Sequence, residues 1–139
     1  MSQENVEIVR AVIDAVNRSD WDAFYKDMAP GFELDMSRAV GPVSGVLSLD
    51  QVRRALEDFA GYWESLRIEP NEFIEAGDRL VVRWTAHVRG RDGIALVVSR
   101  PTFVWTIRDG AIERISLYQE RQDALEDLGL SEQDAHADS

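Results

Sequence analysis

The chain has 139 residues, 45% of them hydrophobic, enough for one domain with a sizeable core and too few for two comfortable ones. Fifteen basic side chains against 26 acidic ones give a formal charge of −11, which opposes binding to nucleic acid or to an anionic membrane surface. There is no cysteine and the only histidines are His87 and His136, which excludes disulfides, thiolate nucleophiles and histidine-rich metal sites; no metal or cofactor is expected.

Val6, Val9, Ile13 and Val16 recur at helical spacing, so residues 3–17 are predicted to form an amphipathic helix that Asn17-Arg18-Ser19-Asp20 ends. Ser19 or Asp20 then caps a shorter helix carrying Trp21, Phe24, Tyr25 and Met28, stopped by Pro30-Gly31. Phe32 to Met36 alternates as a strand, and 37–47, with Gly41-Pro42 and Gly45, reads as loop. Ser48 with Gln51 fits a capping box for a third helix, whose stripe is Leu49, Val52, Leu56, Phe59 and Trp63.

After Trp63 the period changes from helical to alternating. Strands are predicted over 66–75, 79–89, 96–108 and 111–120, joined by turn signals at Ala76-Gly77-Asp78, Gly90-Arg91-Asp92-Gly93 and Asp109-Gly110, hence as an antiparallel meander. A final helical turn or two is expected over 122–128. Helices first and strands afterwards give an α+β fold, three N-terminal helices packed on a curved antiparallel sheet. Residues 1–130 are taken as the domain. Residues 131–139 are taken as an acidic, disordered tail, since Glu120 to Ser139 holds seven acids against the single base Arg121. No apolar run approaches the ~18 residues of a membrane span, and Met1-Ser2-Gln3-Glu4 lacks the basic start of a signal peptide, so a cytoplasmic location is expected.

Strand parity assigns faces. Leu80, Val82, Trp84, Ala86 and Val88 point inward, as do Phe103, Trp105 and Ile107, and Ile115, Leu117 and Gln119 in the last strand. Trp63, Trp84, Trp105 and Phe103 are expected to meet Trp21 and Tyr25 around an apolar pocket. Aromatics at such spacings are core residues more often than ligand cages, but each buried indole N–H needs a partner that water or ligand would supply. The outer face, with Val81, Thr85, His87, Val104 and Thr106 among arginines, is only moderately polar and suits a homodimer interface.

Asn17-Arg18-Ser19-Asp20-Trp21-Asp22-Ala23, Phe73-Ile74-Glu75-Ala76-Gly77-Asp78-Arg79, Phe103 to Gly110 and Ala124 to Leu130, in this element order, resemble the SnoaL-like branch of the nuclear-transport-factor-2-like superfamily. The resemblance spans residues 3 to about 130. It implies a cone-shaped α+β barrel, commonly a homodimer, in a family of polyketide cyclases, ketosteroid isomerases, epoxide hydrolases, dehydratases and noncatalytic proteins. By that resemblance Asp35 takes the position of the isomerases' general base, and Asp35-Met36-Ser37-Arg38 matches a D-x-S-R segment that places Ser37 and Arg38 at the pocket mouth. Parity, in contrast, sends Asp35 outward, and pairing with Arg38 would lower its pKa. Phe103 stands where relatives carry a hydrogen-bond donor, so oxyanion stabilisation would fall to Tyr25, Tyr62, Gln119 or an indole N–H. Leu117 stands where an epoxide hydrolase needs an acid.

Two readings of the interior result. In the first, the domain is noncatalytic, either binding a small, mostly apolar molecule in the pocket or serving as a dimerising module whose cavity is vestigial. In the second, it is a cofactor-independent isomerase, cyclase or lyase acting on a small carbonyl compound with Asp35 as base.

Overall fold

A computed structural model of the chain describes residues 2–39, 44–98 and 101–131, with all their side chains except those of residues 2 and 59–62. Helix α1 (Ser2–Asn17) buries its apolar stripe, with Val9, Val12 and Ile13 in the core. Its last residue ties it to the sheet. The Asn17 carboxamide donates from Nδ2 to the Ile68 carbonyl at 2.9 Å and accepts the Ile68 N–H at 2.7 Å. Because Ile68 lies on the terminal strand of the sheet, this amide satisfies backbone groups that an edge would otherwise expose. Replacing Asn17 with alanine is expected to cost about 2 kcal/mol of unfolding free energy in urea denaturation. An unchanged midpoint would mean that water replaces the amide without loss.

Asp20 caps the one-turn helix α2 (Trp21–Tyr25), its carboxylate accepting the Ala23 N–H at 3.2 Å. Met28, expected on that helix, instead opens strand β1 (Met28–Met36), in which Pro30 and Gly31 fall at a break in register. Within the expected loop 37–47, Gly45 begins a short strand, β2 (Gly45–Ser48), antiparallel to Glu33–Met36. Four residues are too few for alternation to reveal. Gly41 and Pro42 lie outside the described residues.

The capping box forms at the start of α3 (Leu49–Tyr62): Ser48 Oγ accepts the Gln51 N–H at 3.3 Å, and Gln51 Oε1 accepts the Ser48 N–H at 2.8 Å. Trp63 is not the last member of the helical stripe. It is the first residue of β3 (Trp63–Ala76), opposite Gly90.

The remaining strands are β4 (Arg79–Gly90), β5 (Ala95–Val98), β6 (Thr102–Arg108) and β7 (Ala111–Tyr118). The strand expected over 96–108 is thus two, with Pro101, which has no N–H for a ladder, between them. At the β6–β7 hairpin Asp109 and Gly110 both have positive φ, 52° and 78°, the backbone that a two-residue turn between twisted strands requires.

Strand order is β2-β1-β7-β6-β4-β3, with β5 beside β4. The predicted meander is present as β3-β4-β6-β7. The sheet is not wholly antiparallel, however, because β1 runs parallel to β7, and the curved sheet is open rather than closed into a barrel. The chain path allows parallel pairing: β2, α3 and the rest of the meander separate β1 from β7, ample length for a crossover.

Helices α1, α2 and α3 cover one face, where Val9, Phe24 and Val52 pack with Leu80, Val82, Trp105 and Ile115. The other face is not bare. Helix α4 (Arg121–Asp127) lays Ala124 and Leu125 over Ile74, Val81, Val104 and Tyr118, so two residues of the expected outer apolar surface are buried within the chain. Arg121 holds α4 with a two-pronged bond to Glu72, at 2.6 and 3.1 Å, and the Tyr118 hydroxyl donates to Asp127. Burial first, then that bond, pushes the Tyr118 phenol up to about 12. No described helix is long and apolar enough to cross a membrane. The expected tail beyond Ser131 lies outside the described residues.

Candidate functional site

Between the three helices and the inner sheet face lies a cavity of about 200 Å³. The first helix contributes Val12, Ile13 and Val16, α2 contributes Phe24, and α3 contributes Val52 and Leu56. Alternation along β1 turns Phe32, Leu34 and Met36 towards it, and Ile68, Val82, Trp84, Phe103, Trp105 and Ile115 complete the sheet side. Trp84 and Phe103 stack with centroids 5.1 Å apart and planes 23° from parallel. The indole nitrogens of Trp84 and Trp105 are buried without a hydrogen-bond partner, a cost of about 1–3 kcal/mol each. None of the described wall residues carries an ionisable side chain. Such a space can hold a molecule, and among the described residues its wall has no acid or base to exchange a proton.

Of the aromatic residues singled out in the sequence, the cavity brings together Trp84, Phe103 and Trp105. Trp21 and Tyr25 pack against the core from outside and line a separate surface groove with Asp22, Arg53, Leu56 and Glu57. On that one-turn helix it is Phe24, between them, that reaches the cavity. Trp63 sits at the far end of the β3–β4 pair, against Gly90. Leu117 is buried opposite Phe103 but does not line the cavity, and Gln119 is exposed, donating to the Arg38 carbonyl at 2.6 Å. Of the suggested replacement donors, Gln119 and Tyr25 are therefore elsewhere, and the Tyr62 side chain lies outside the described residues.

Asp35 stands on the opposite face of β1 from Leu34 and Met36. It is only 9% exposed and fully engaged. Its Oδ1 accepts from the Ser37 hydroxyl at 2.6 Å and the Ser37 N–H at 3.0 Å, and its Oδ2 accepts from Arg114 Nη2 at 3.0 Å, with Arg38 Nη1 at 3.6 Å. Arg114 also binds Glu33 at 2.5 Å, while Arg38 donates to the Leu117 carbonyl at 3.3 Å and lies 4.1 Å from the Tyr118 ring centroid. Burial pushes the Asp35 carboxyl up, but the Ser37 and Arg114 hydrogen bonds together outweigh it and hold the group below the ordinary carboxylate value. A base facing a carbon acid in the cavity needs the opposite placement and the opposite shift. Ser37 and Arg38 thus belong to an ion cluster on the outer face, not to the cavity mouth.

Arg114 went unread in the sequence because its pairing depends on the parallel β1–β7 register, which sets Glu33 opposite Arg114 and Asp35 opposite Ser116. Leu34 and Met36 carried a signal, since they share the parity of Phe32. Among the described residues no group of three histidine, cysteine, aspartate or glutamate side chains is placed to hold a metal ion.

Residues 9–115 match the family described as the SnoaL-like domain. No protein of curated function is similar in sequence. Among solved structures, TerC co-crystallised with polyporic acid is 25% identical, with a TM-score of 0.73 over 90% of this chain and 97% of that one. A protein of unknown function from Burkholderia pseudomallei K96243, described as NTF2-like, is 23% identical, with a TM-score of 0.69 over 88% and 95%. The protein Rv0760c from Mycobacterium tuberculosis, in complex with estradiol-17β-hemisuccinate, shares 13% identity and the fold, with a TM-score of 0.71 over 86% and 95%. With three-quarters of its length matched and its helices and sheet in the same arrangement, this chain belongs to the SnoaL-like domain family.

Proposed function

We propose that the chain binds a small, neutral, mostly apolar molecule in the cavity walled by Trp84, Phe103 and Trp105, as a binder and not as a catalyst. The observation that carries this reading is the cavity itself, about 200 Å³ of space lined by hydrocarbon and indole. A hydrocarbon-lined cavity of about 150 Å³ engineered in another protein stays dry and takes up benzene, so the occupant fitting here is about the size of one substituted ring. Solved relatives in the same fold hold polyporic acid and an estradiol ester, which supports small-molecule binding as a use of this interior. Charge is disfavoured, since no described wall residue would pair with it. The engagement of Asp35 on the other face supports the binding reading over the isomerase one.

Acetophenone and benzoate test the reading as a matched pair. Acetophenone is expected to change the tryptophan fluorescence saturably, and benzoate, which would bury an unpaired carboxylate, to do so at least about tenfold more weakly. Equal affinity for both, or no saturable change together with no small molecule retained in native mass spectrometry, would overturn it. We further propose a homodimer through the part of the outer sheet face that α4 leaves open, around Thr85 and His87. The partial exposure of Thr85 and the exposure of His87 support this, and the same mass spectrum reads it.

A further inference from the structure

Strand β4 is long enough to hold two neighbours along one side, Arg79–Arg83 pairing with β6 and Ala86–Arg89 with β5. Beyond β6 lies β7, which ends at Tyr118 opposite Thr102. Among the described residues β5 therefore pairs with β4 alone, and its other side is an open edge. All four of its residues are exposed, and the run Ile94-Ala95-Leu96-Val97-Val98 holds four of the five large hydrophobic side chains exposed among the described residues. The chain's exposed apolar surface is thus concentrated on one strand.

The ladder decides which backbone groups that edge presents. The Gly90 N–H donates to the Ile94 carbonyl at 2.8 Å, so Gly90 and Ile94 are a hydrogen-bonded pair. Such pairs alternate with pairs that make no bond in an antiparallel ladder, so Leu96 and Val98 also turn their N–H and C=O to β4, whereas Ala95 and Val97 turn theirs outward. Two donors and two acceptors stand free. Edge strands are ordinarily blunted by charge, proline or a bulge, and residues 94–98 have none of these, only a short length. Apolar side chains beside a row of free donors and acceptors fit another β-strand.

We propose that two copies of this chain pair edge to edge through β5, antiparallel about a two-fold axis at Leu96. An axis perpendicular to the sheet sets the two strands side by side and keeps each side chain on its own face. In this register Ala95 and the partner's Val97 exchange both bonds, and the reverse pair does the same, so four hydrogen bonds use every free group of both edges. Leu96 then meets the partner's Leu96, Ile94 meets the partner's Val98, and Val97 meets the partner's Ala95. Every exposed apolar side chain of the run gains an apolar neighbour across the seam. An axis at Ala95 would instead set Asp92 against the partner's Val98, and an axis at Val97 would keep only two of the four bonds between described residues. The self-complementary register is what selects a second copy over an unrelated strand. This contact is separate from the cavity and from the outer-face contact around Thr85 and His87.

The chain has no cysteine, so one introduced thiol reports the register. Opposed Leu96 positions form a pair without hydrogen bonds, about 4.5 Å between Cα atoms and within reach of a disulfide. Two Val98 positions would stand four residues apart along the seam, about 14 Å, which is out of reach. Under mild oxidation Leu96→Cys is expected to form a disulfide-linked dimer at least about tenfold faster than Val98→Cys, and faster by the same margin than Val46→Cys on β2, where the side chain is 47% exposed against 48% for Leu96. Adding Val97→Pro removes an N–H that faces the seam and not β4, and is expected to lower the Leu96→Cys rate to that of the controls. Val97→Lys, which places a charge on the edge, serves where the proline disturbs the hairpin. Equal rates at the three cysteine positions, or a Leu96→Cys rate that neither Val97 variant lowers, would overturn the pairing. A dimer in native mass spectrometry whose Leu96→Cys form cross-links no faster than the controls overturns it as well, and leaves the outer-face contact standing.

Discussion

Trp105→Ala is expected to lower the unfolding free energy by about 3–5 kcal/mol, and Trp105→Phe by less than about half of that, in urea denaturation followed by circular dichroism. Trp105 is 6% exposed, stands between Leu80 and Ile115 in the sheet register, and packs in the main core as well as on the cavity wall. Truncation to alanine removes a large apolar surface and merges the vacated volume with a cavity already present, so the surroundings cannot collapse to compensate. Phenylalanine keeps most of the ring. It also removes the buried indole N–H that has no partner, and that relief offsets part of the lost area. Equal losses for the two variants would mean that the indole nitrogen is satisfied, by water or by a retained ligand. Trp84 offers the contrast. It is half-buried and stacks on Phe103, so Trp84→Ala is expected to weaken acetophenone binding by a larger factor than it changes the folding equilibrium. The reverse order would make the indole a core residue and no more.

Features set by local chemistry were legible in the sequence. The change of period after Trp63 located the meander, Asp109-Gly110 located a hairpin whose two turn residues have positive φ, and Ser48 with Gln51 located the start of α3. Alternation also assigned Trp84, Phe103 and Trp105 to one face of the sheet and Asp35 to the far face of β1. Features that depend on pairing distant segments were not legible. The parallel β1–β7 register brings Asp35 to Arg114, and nothing near either residue announces it. The covering of Val81 and Val104 by α4 depends on where a seven-residue helix docks, and its own stripe is only Ala124 and Leu125. Trp21 and Tyr25 were drawn towards the pocket because a one-turn helix has too few residues to fix its rotation. The helix set Phe24 inward instead.

The residue on which the catalytic reading depends also has the most decisive pH behaviour. Asp35→Asn is expected to cost about 2 kcal/mol of stability at neutral pH. That figure is below the usual loss for a fully buried pair because the Arg114 side chain is 36% exposed and keeps Glu33 as a second partner. The Asp35 carboxyl lies below its unfolded value, so its contribution is fully present above about pH 4 and is lost as pH falls through the lower folded value. The difference between the parent chain and Asp35→Asn should therefore shrink in urea titrations as pH drops from 7 towards 3, since asparagine resembles the protonated acid. A general base held at an apolar wall would behave in the opposite sense: its pKa would be raised, and Asp35→Asn would stabilise the fold at neutral pH by removing a poorly solvated charge. The sign of one stability difference at pH 7 thus separates an ion pair that fastens β1 to β7 from a carboxylate poised for chemistry, and the bonds from Ser37 and Arg114 require the first.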